Sequence, residues 1–265
     1  TSSLTRKGIS YATELISPEL LGMGDDAKLN GIGVFVHEMS HMLGLPDFYD
    51  LNYKAPGMDY WSLMDYGEYW NNGYHPTPYT AYERHFMGWL PLVELSEPTT
   101  VENMKAIGDG GSAYVIYNEG NRNEYYILEN RTVNDPWSRS LCTSLGSGMM
   151  IYHVDYDAQA WSSNRINTNI SRQRMTIIPA NGTLIGSNNA TSKEAWQTSL
   201  QGNPYPGITG NSELTNDSYP ASLVYTGNYM SKPLVDIEET PDGIVILKAM
   251  PLGTLEKPTG LSFED

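Results

Sequence analysis

Cysteine is almost absent from this chain of 265 residues. It has one cysteine, Cys142, so no disulfide can form within the chain. The absence of disulfides gives no support for secretion. It does not argue against secretion either, because proteins in oxidising compartments can lack disulfides. Cys142 is also a weak candidate for a catalytic nucleophile, since no histidine is paired with it in the sequence.

Basic residues and long apolar runs are scarce as well. Lysine and arginine total 16 against 31 acidic residues, which gives a formal net charge of −15. This charge argues against nucleic acid or an anionic membrane as a partner. No apolar run approaches the roughly 20 residues that a membrane-spanning helix needs, so we expect no membrane span.

Two of the five histidines lie in the run VFVHEMSHMLGLPDFYD. A helix places residues i and i+4 on one face, so His37 and His41 can direct two imidazoles at one point. Glu38 is beside them, where a carboxylate can take a proton from a water on a zinc ion held by the histidines. Gly44 can end the helix in a left-handed conformation, after which a short loop can return Asp47 to the metal. The run therefore predicts a zinc hydrolase, against the simpler alternative of a solvated helix.

The segment HEMSHMLGLPD resembles the pattern H-E-x-x-H-x-x-G-x-x-[HD] of the metzincin clan of zinc peptidases. Within that clan the chain is similar to the secreted bacterial peptidases of the immune inhibitor A (M6) family. The resemblance implies that His37, His41 and Asp47 are zinc ligands and that Glu38 is the general base. The third ligand is the least secure part of this assignment, because an oxygen donor also suits zinc at four other acidic positions within reach: Asp50, Asp65, Glu68 and Glu83.

The clan's second mark is a methionine turn beneath the metal. The run WSLMDYG at residues 61–67 resembles it, with Met64 as the floor. By the same resemblance Tyr66 stabilises the oxyanion or covers the zinc in the resting state, and a purely structural tyrosine is an equal alternative. Further segments also look like ones that recur in the family, so the resemblance covers about residues 30–240; they are TPYTAYERHFMGWL, NEYYILENR, GSGMMIYHVDYD and NPYPG.

The likeness also implies what a complete catalytic domain contains. Members of the clan have a twisted sheet and a backing helix before the metal-binding helix, and only 36 residues precede His37. The chain also begins at Thr1 without a signal region. We therefore expect a mature or truncated piece, with the missing N-terminal part of its own precursor as a partner that completes the cleft. We expect this piece alone to hydrolyse peptides weakly or not at all.

The sequence predicts an α+β fold. Residues 1–91 are expected to form the C-terminal, lower part of a metzincin-like protease domain, with the active-site helix, the methionine turn and a second helix. Residues 92–250 are expected to form a β-rich, sandwich-like domain packed on it, and residues 251–265 a linker toward an absent module.

Local signals place the elements. A helix is predicted over residues 30–43, with Asn30 as cap and Gly44 at its end, and a second over residues 78–87, with Thr77 as cap and Gly88 at its end. Residues 56–76 should form loops around a cleft, and residues 181–225 long surface loops. Five runs have strand character: AYVIYNEG, EYYILENR, GMMIYHVD, RQRMTIIPA and GIVILKAM.

A second cation site is a further hypothesis. His153, Asp155 and Asp157 are at every second position, so on a strand they would share one face and could bind calcium. The alternative is that these polar residues simply lie on a solvent-exposed face. Asp25 and Asp26 before the first helix either cap it or add to a calcium site. His85 is expected to pack or face solvent rather than bind a metal.

The function predicted from these features is that of a zinc-dependent endopeptidase acting on protein or peptide substrates, secreted or at the cell surface. The alternative is a protein- or carbohydrate-binding module on an incomplete protease scaffold, since the chain has 19 tyrosines and 6 tryptophans. The intact histidine pair and Glu38 favour the enzyme. A purely structural zinc is disfavoured, because such sites usually have four protein ligands and are rich in cysteine.

Overall fold

The computed structural model describes residues 4–6, 9–11, 20–21, 28–187 and 189–252. Asp25, Asp26 and residues 253–265 of the predicted linker 251–265 lie outside the described residues. The helices are α1 Ile32–Met42, α2 Ala81–Phe86, α3 Arg139–Leu145, α4 Ala158–Ser162 and α5 Lys193–Gln201. The strands are β1 Leu4–Arg6, β2 Ile9–Tyr11, β3 Leu20–Leu21, β4 Lys28–Leu29, β5 Leu92–Glu94, β6 Thr99–Met104, β7 Ala113–Tyr117, β8 Glu124–Arg131, β9 Gly148–Asp155, β10 Met175–Ile177, β11 Leu234–Glu239 and β12 Val245–Ala249. This mixture agrees with the predicted α+β class.

Two sheets dominate the second half of the chain. The larger has the order β10-β9-β8-β7-β5, and every pair in it is antiparallel except β5 with β7. The smaller is antiparallel in the order β11-β12-β6. Two of the predicted strands, EYYILENR and GMMIYHVD, coincide with β8 and β9 residue for residue, whereas RQRMTIIPA contributes only β10.

Both faces of β9 are buried, which explains why its sequence is nearly continuously apolar. Met150 and Tyr152 of β9 face a first core that also contains Phe48, Trp61 and Met64 from the loops after α1. Alternate side chains of β8 and β9 face a second core shared with the three-stranded sheet, with members Tyr126, Leu128, Ile151, Val101, Leu234 and Leu247. The first core thus draws on both sides of the predicted boundary after residue 91, which itself stays a prediction.

The first predicted helix exists, but its cap differs from the prediction. Gly31, not Asn30, is the N-cap of α1, and no side chain caps it. Gly31 lies against the backbone of Gly73, where a side chain would overlap main-chain atoms. Gly44, with a φ of +97°, follows the helix as predicted.

The second predicted helix begins later than expected. It starts at Ala81 with Thr80 as cap, so the prediction of Thr77 was wrong. Thr80 and Glu83 form a capping box, in which each side chain accepts a hydrogen bond from the other residue's amide. The hydroxyl of Thr77 instead donates to the carbonyl of Tyr60 at 2.7 Å. Two threonines before the helix are candidate caps, and Glu83, three residues after Thr80, decides between them.

The segment 181–225 contains a helix that was not predicted. Ser192 caps α5 by accepting a hydrogen bond from the amide of Ala195 at 3.1 Å. The helix is polar except where Leu200 enters the first core and where Trp196 donates to Asp59 at 2.9 Å. Its composition therefore resembles that of a loop, and a few tertiary contacts stabilise it.

Among the described residues, no helix has the length and apolar character needed to cross a bilayer.

The start of α1 packs closely on the 3-10 segment Tyr66–Gly73. A methyl group on Gly33 would overlap the carbonyl oxygen of Glu68. Glycine at this position therefore allows the backbone of Glu68 to approach the helix that carries His37.

Replacing Gly33 with alanine should lower the free energy of unfolding by roughly 1–3 kcal/mol, because the added methyl overpacks a backbone contact. Helix propensity alone predicts the opposite sign. Urea denaturation measures the difference. The matched control is Gly120→Ala, where the added methyl would meet only side-chain atoms at 3.3 and 3.4 Å. Equal effects of the two substitutions would contradict this packing explanation.

Candidate metal centre

Three of the predicted ligands converge in the structure. Nε2 of His37 lies 3.1 Å and Nε2 of His41 lies 3.3 Å from Oδ1 of Asp47. One ligand atom from each residue lies within 4.8 Å of the other two. In the part of the chain that the structure describes, this is the one group of three or more histidine, cysteine or acidic residues that could hold a metal ion.

The other ring nitrogen of each histidine is bound to the main chain. Nδ1 of His37 lies 2.9 Å from the carbonyl oxygen of Leu63, and Nδ1 of His41 lies 2.8 Å from that of Leu45. Carbonyl oxygens only accept, so each Nδ1 carries a proton. A neutral imidazole of this tautomer leaves its Nε2 lone pair free to bind a metal.

The convergence of two Nε2 lone pairs and a carboxylate favours positive charge between them. Burial lowers the pKa of His37, but the hydrogen bond with Asp47 and the charge of Glu68 outweigh it and raise the pKa to about 9. Burial raises the pKa of Asp47, and its hydrogen bonds from His37, His41 and Asn164 hold it well below its usual range. A divalent cation bound between these groups would satisfy the same preference for positive charge.

Asp47 is held by a residue from the distant β-rich half. The side-chain amide of Asn164 donates to Oδ2 of Asp47 at 2.6 Å, and the amide nitrogen of Asp47 donates to Oδ1 of Asn164 at 2.7 Å. This pair occupies one carboxylate oxygen and turns the other, Oδ1, toward the histidines. No sequence signal indicated this role for Asn164, because it lies 117 positions from Asp47 and no motif surrounds it.

Replacing Asn164 with alanine should weaken zinc binding about 10–100-fold, because the carboxylate of Asp47 loses the residue that orients it. A competition titration against a fluorescent chelator measures the affinity. The matched control is Asn103→Ala, at an exposed position on β6. An unchanged affinity in the Asn164 variant would show that the pair does not position the ligand.

Glu38 follows His37 on α1 and has a half-buried side chain. Burial first, and then the charges of Glu38 and Asp47, raise the pKa of Glu68, against the opposing charge of His37. Glu38 is thus close enough to the centre to act electrostatically on its neighbours.

Met64 is fully buried, and its carbonyl accepts a hydrogen bond from the amide of Phe48 at 2.7 Å.

Two tyrosines lie near the centre. The ring of Tyr49 stacks on His37 with ring centres 6.5 Å apart and an interplanar angle of 21°. Burial, the charge of Asp47 and a hydrogen bond with Asp47 raise the pKa of Tyr49. Tyr66, the predicted tyrosine, lines an adjacent cavity. Tyr49 was not predicted from the sequence, although it lies two residues after Asp47.

The structure gives the alternative third ligands other partners. Asp50 and Asp65 each accept hydrogen bonds from three backbone amides. Glu83 belongs to the capping box of α2 and also accepts from the hydroxyl of Ser62 at 2.6 Å. Glu68 lies 3.8 Å from Nδ1 of His37, the nitrogen that faces the main chain. Asp47 is the acidic residue that meets both Nε2 atoms.

The predicted calcium site also has other contacts. His153 lies 2.9 Å from Glu124. Asp155 forms ion pairs with Arg172 and Arg174 at 2.7 and 2.8 Å, so its charge is already neutralised. A carboxylate oxygen of Asp157 accepts from the amide of Ala160 and caps α4. The calcium hypothesis therefore gains no support from this face. His85 is exposed, as the prediction of a solvent-facing residue allowed, and its Nδ1 lies 3.0 Å from the carbonyl oxygen of Leu90.

Comparison with known proteins identifies the segment that carries this centre. Residues 24–89 match the family model described as the immune inhibitor A peptidase M6, catalytic domain. This match includes His37, Glu38, His41, Asp47 and Tyr66. This segment is therefore similar to the catalytic domain of that peptidase family.

Two curated relatives share sequence with the chain. Both are the Pre-pro-metalloprotease PrtV of Vibrio cholerae serotype O1, from strain M66-2 and from strain ATCC 39315 / El Tor Inaba N16961. Each is 39% identical over 59 residues, which is 21% of this chain and 6% of the relative. The chain therefore matches only a small part of these much longer proteins. No solved structure matches the chain.

Proposed function

We propose that this chain carries the metal-binding and catalytic residues of a zinc endopeptidase of the M6 family. The observation that supports the proposal is the convergence of Nε2 of His37, Nε2 of His41 and Oδ1 of Asp47. The match to a peptidase catalytic domain, which includes these three residues, supports a catalytic metal at this point.

The donor set suits zinc. Two imidazole nitrogens and one carboxylate oxygen are ligands that zinc accepts, and three protein ligands leave a coordination position open, as in catalytic zinc sites. Calcium, by contrast, prefers six to eight oxygen ligands. Cys142 is buried, and burial raises the pKa of its thiol to about 12, so it takes no part in the proposed chemistry.

The proposed mechanism assigns the proton transfers to Glu38. Zinc in such a site acidifies water and polarises the carbonyl of the scissile bond. Glu38, next to His37 on α1, accepts the proton of the attacking water and then delivers it to the leaving amine. Asn164 holds the carboxylate of Asp47, and the carbonyls of Leu63 and Leu45 hold the two imidazoles, so the ligands keep their orientation.

We also propose the substrates and the location of the enzyme. Protein or peptide chains are the proposed substrates. The relative's name, Pre-pro-metalloprotease, describes a protein made as a precursor, and we propose export to the cell surface or medium for this protein as well. The alternative of a binding module gains no specific support at this centre, where the histidine pair and Glu38 are present together.

Metal removal tests the proposed function. The full-length protein should cleave casein or a quenched fluorescent peptide. A chelator should abolish the cleavage, and stoichiometric zinc should restore it. Calcium added in place of zinc is the control and should restore nothing. Cleavage that survives complete removal of zinc would contradict the proposal.

A further inference from the structure

A cavity of about 160 Å³ opens beside the metal centre. Its wall consists of four tyrosines and two acidic residues, which are Tyr49, Tyr53, Tyr66, Tyr69, Asp65 and Glu68. Two lining residues contact a proposed metal ligand, because Tyr49 stacks on His37 and Glu68 lies 3.8 Å from the same imidazole. The cavity is therefore close to the proposed metal site.

The tyrosines offer ring surfaces. Tyr49 and Tyr53 are nearly parallel, with ring centres 6.1 Å apart and an interplanar angle of 9°. Tyr66 and Tyr69 form a second pair, with ring centres 6.3 Å apart. The face of an aromatic ring carries a negative quadrupole, so rings grouped in this way attract a cation that has left water.

The two acidic residues differ in what occupies their oxygens. Asp65 accepts from the amides of Met58, Asp59 and Tyr66, so its carboxylate is used by the local backbone. The side chain of Glu68 is 8% exposed and lines the cavity together with Tyr69. Glu68 therefore keeps acceptor capacity for a ligand. The described lining contains no lysine or arginine that would neutralise it.

We propose that this cavity binds the side chain of a lysine or arginine of the peptide substrate. An ammonium or guanidinium group would meet the carboxylate of Glu68 and the faces of the tyrosines, an arrangement that rejects acidic side chains and gives uncharged ones no matching partner. The chain's net charge of −15 also favours the approach of basic peptides. This inference rests on the proposed peptidase function, because it names the substrates of that same site.

Kinetics on paired peptides test the substrate preference. The zinc-loaded full-length protein is given peptides that differ at one residue, lysine against norleucine and arginine against citrulline, with a glutamate peptide as a third member. We expect kcat/KM to be at least about tenfold higher for the basic member of each pair. Glu68→Gln should reduce this ratio toward one. A merely structural role of Glu68 would lower both members equally and leave the ratio unchanged.

Further variants keep the test decisive. Tyr53→Leu removes a ring from an exposed position and should reduce the same ratio, even where the Glu68 variant folds poorly. Glu102→Gln, at an exposed position on β6, makes the same charge change far from the cavity in sequence and should leave the ratio as it is. A wild-type enzyme that cleaves peptides without a basic preference, or a preference that survives Glu68→Gln, would overturn the inference and leave the peptidase function standing.

A binding measurement separates the two proposals. Acetyl-arginine amide should shift the tyrosine NMR signals of the metal-free protein, and acetyl-citrulline amide should not. If no peptide is cleaved in the presence of zinc, the peptidase proposal fails, and this measurement still decides on the cavity. Equal binding of the two amides, or binding of neither, would overturn the inference.

Discussion

Glu38→Gln should reduce peptide hydrolysis by a factor of roughly 10²–10⁴, which is the usual contribution of a general base. Glutamine has nearly the same shape and cannot accept the proton of the attacking water. Zinc should remain bound, because the proposed ligands are His37, His41 and Asp47. The measurements are kcat/KM on a fluorescent peptide and zinc content by atomic emission, on the same preparation of full-length protein.

Glu102→Gln is the matched control for this result, and it should keep full activity. A Glu38→Gln protein that keeps most of its turnover would show that another group is the base. A variant that loses zinc together with activity would place Glu38 among the ligands or supports of the metal.

Asp47→Ala should abolish stable zinc binding. The change removes one of three proposed ligands, and its effect should exceed the roughly 10–100-fold loss expected when only an orienting residue is removed. It also leaves the amide of Asn164 without its acceptor and the two Nε2 atoms without the oxygen between them. Metal content and a chelator competition titration measure the loss.

Two further variants separate ligation from folding. Asp47→Asn keeps the shape of the side chain and a carbonyl oxygen, so it should fold like the wild type and still bind zinc far more weakly. Asp109→Ala removes an exposed carboxylate and should leave zinc binding unchanged. Full zinc occupancy in the folded Asp47 variants would show that one of the other acidic residues is the third ligand.

The convergence of the three proposed ligands was largely predictable because its geometry is local. Helical spacing brings His37 and His41 to one face, and the left-handed Gly44 ends the helix so that Asp47 returns to both. Strands β8 and β9 were predictable for a similar reason, since their runs are long, apolar and bounded by turn residues.

The residues that surround the centre were not predictable in the same way. Asn164 reaches Asp47 from 117 positions away, so only the tertiary fold reveals the pair. The cavity wall combines two tyrosines that follow Asp47 with two that follow Met64, namely Tyr49, Tyr53, Tyr66 and Tyr69. Their spacing matches no known sequence motif, so the cavity could not be predicted. Helix α5 was missed because its sequence is polar, and its stability depends on the contacts of Leu200 and Trp196.

The predicted starts of α1 and α2 were wrong for a more specific reason. Several residues before α1 and α2 can act as caps, and the choice depends on close packing or on a partner three residues later. Gly31 begins α1 where only glycine fits against Gly73, and Thr80 begins α2 because Glu83 completes the box. The sequence contained the second signal, whereas the first required the structure.

Anomalous diffraction at the zinc absorption edge, on crystals of the zinc-loaded full-length protein, tests the proposed centre most directly. We predict a peak about 2.0–2.2 Å from Nε2 of His37, Nε2 of His41 and a carboxylate oxygen of Asp47. A zinc peak that lies away from these three atoms, or one bound to the two histidines with Asp50 or Glu68 in place of Asp47, would contradict it.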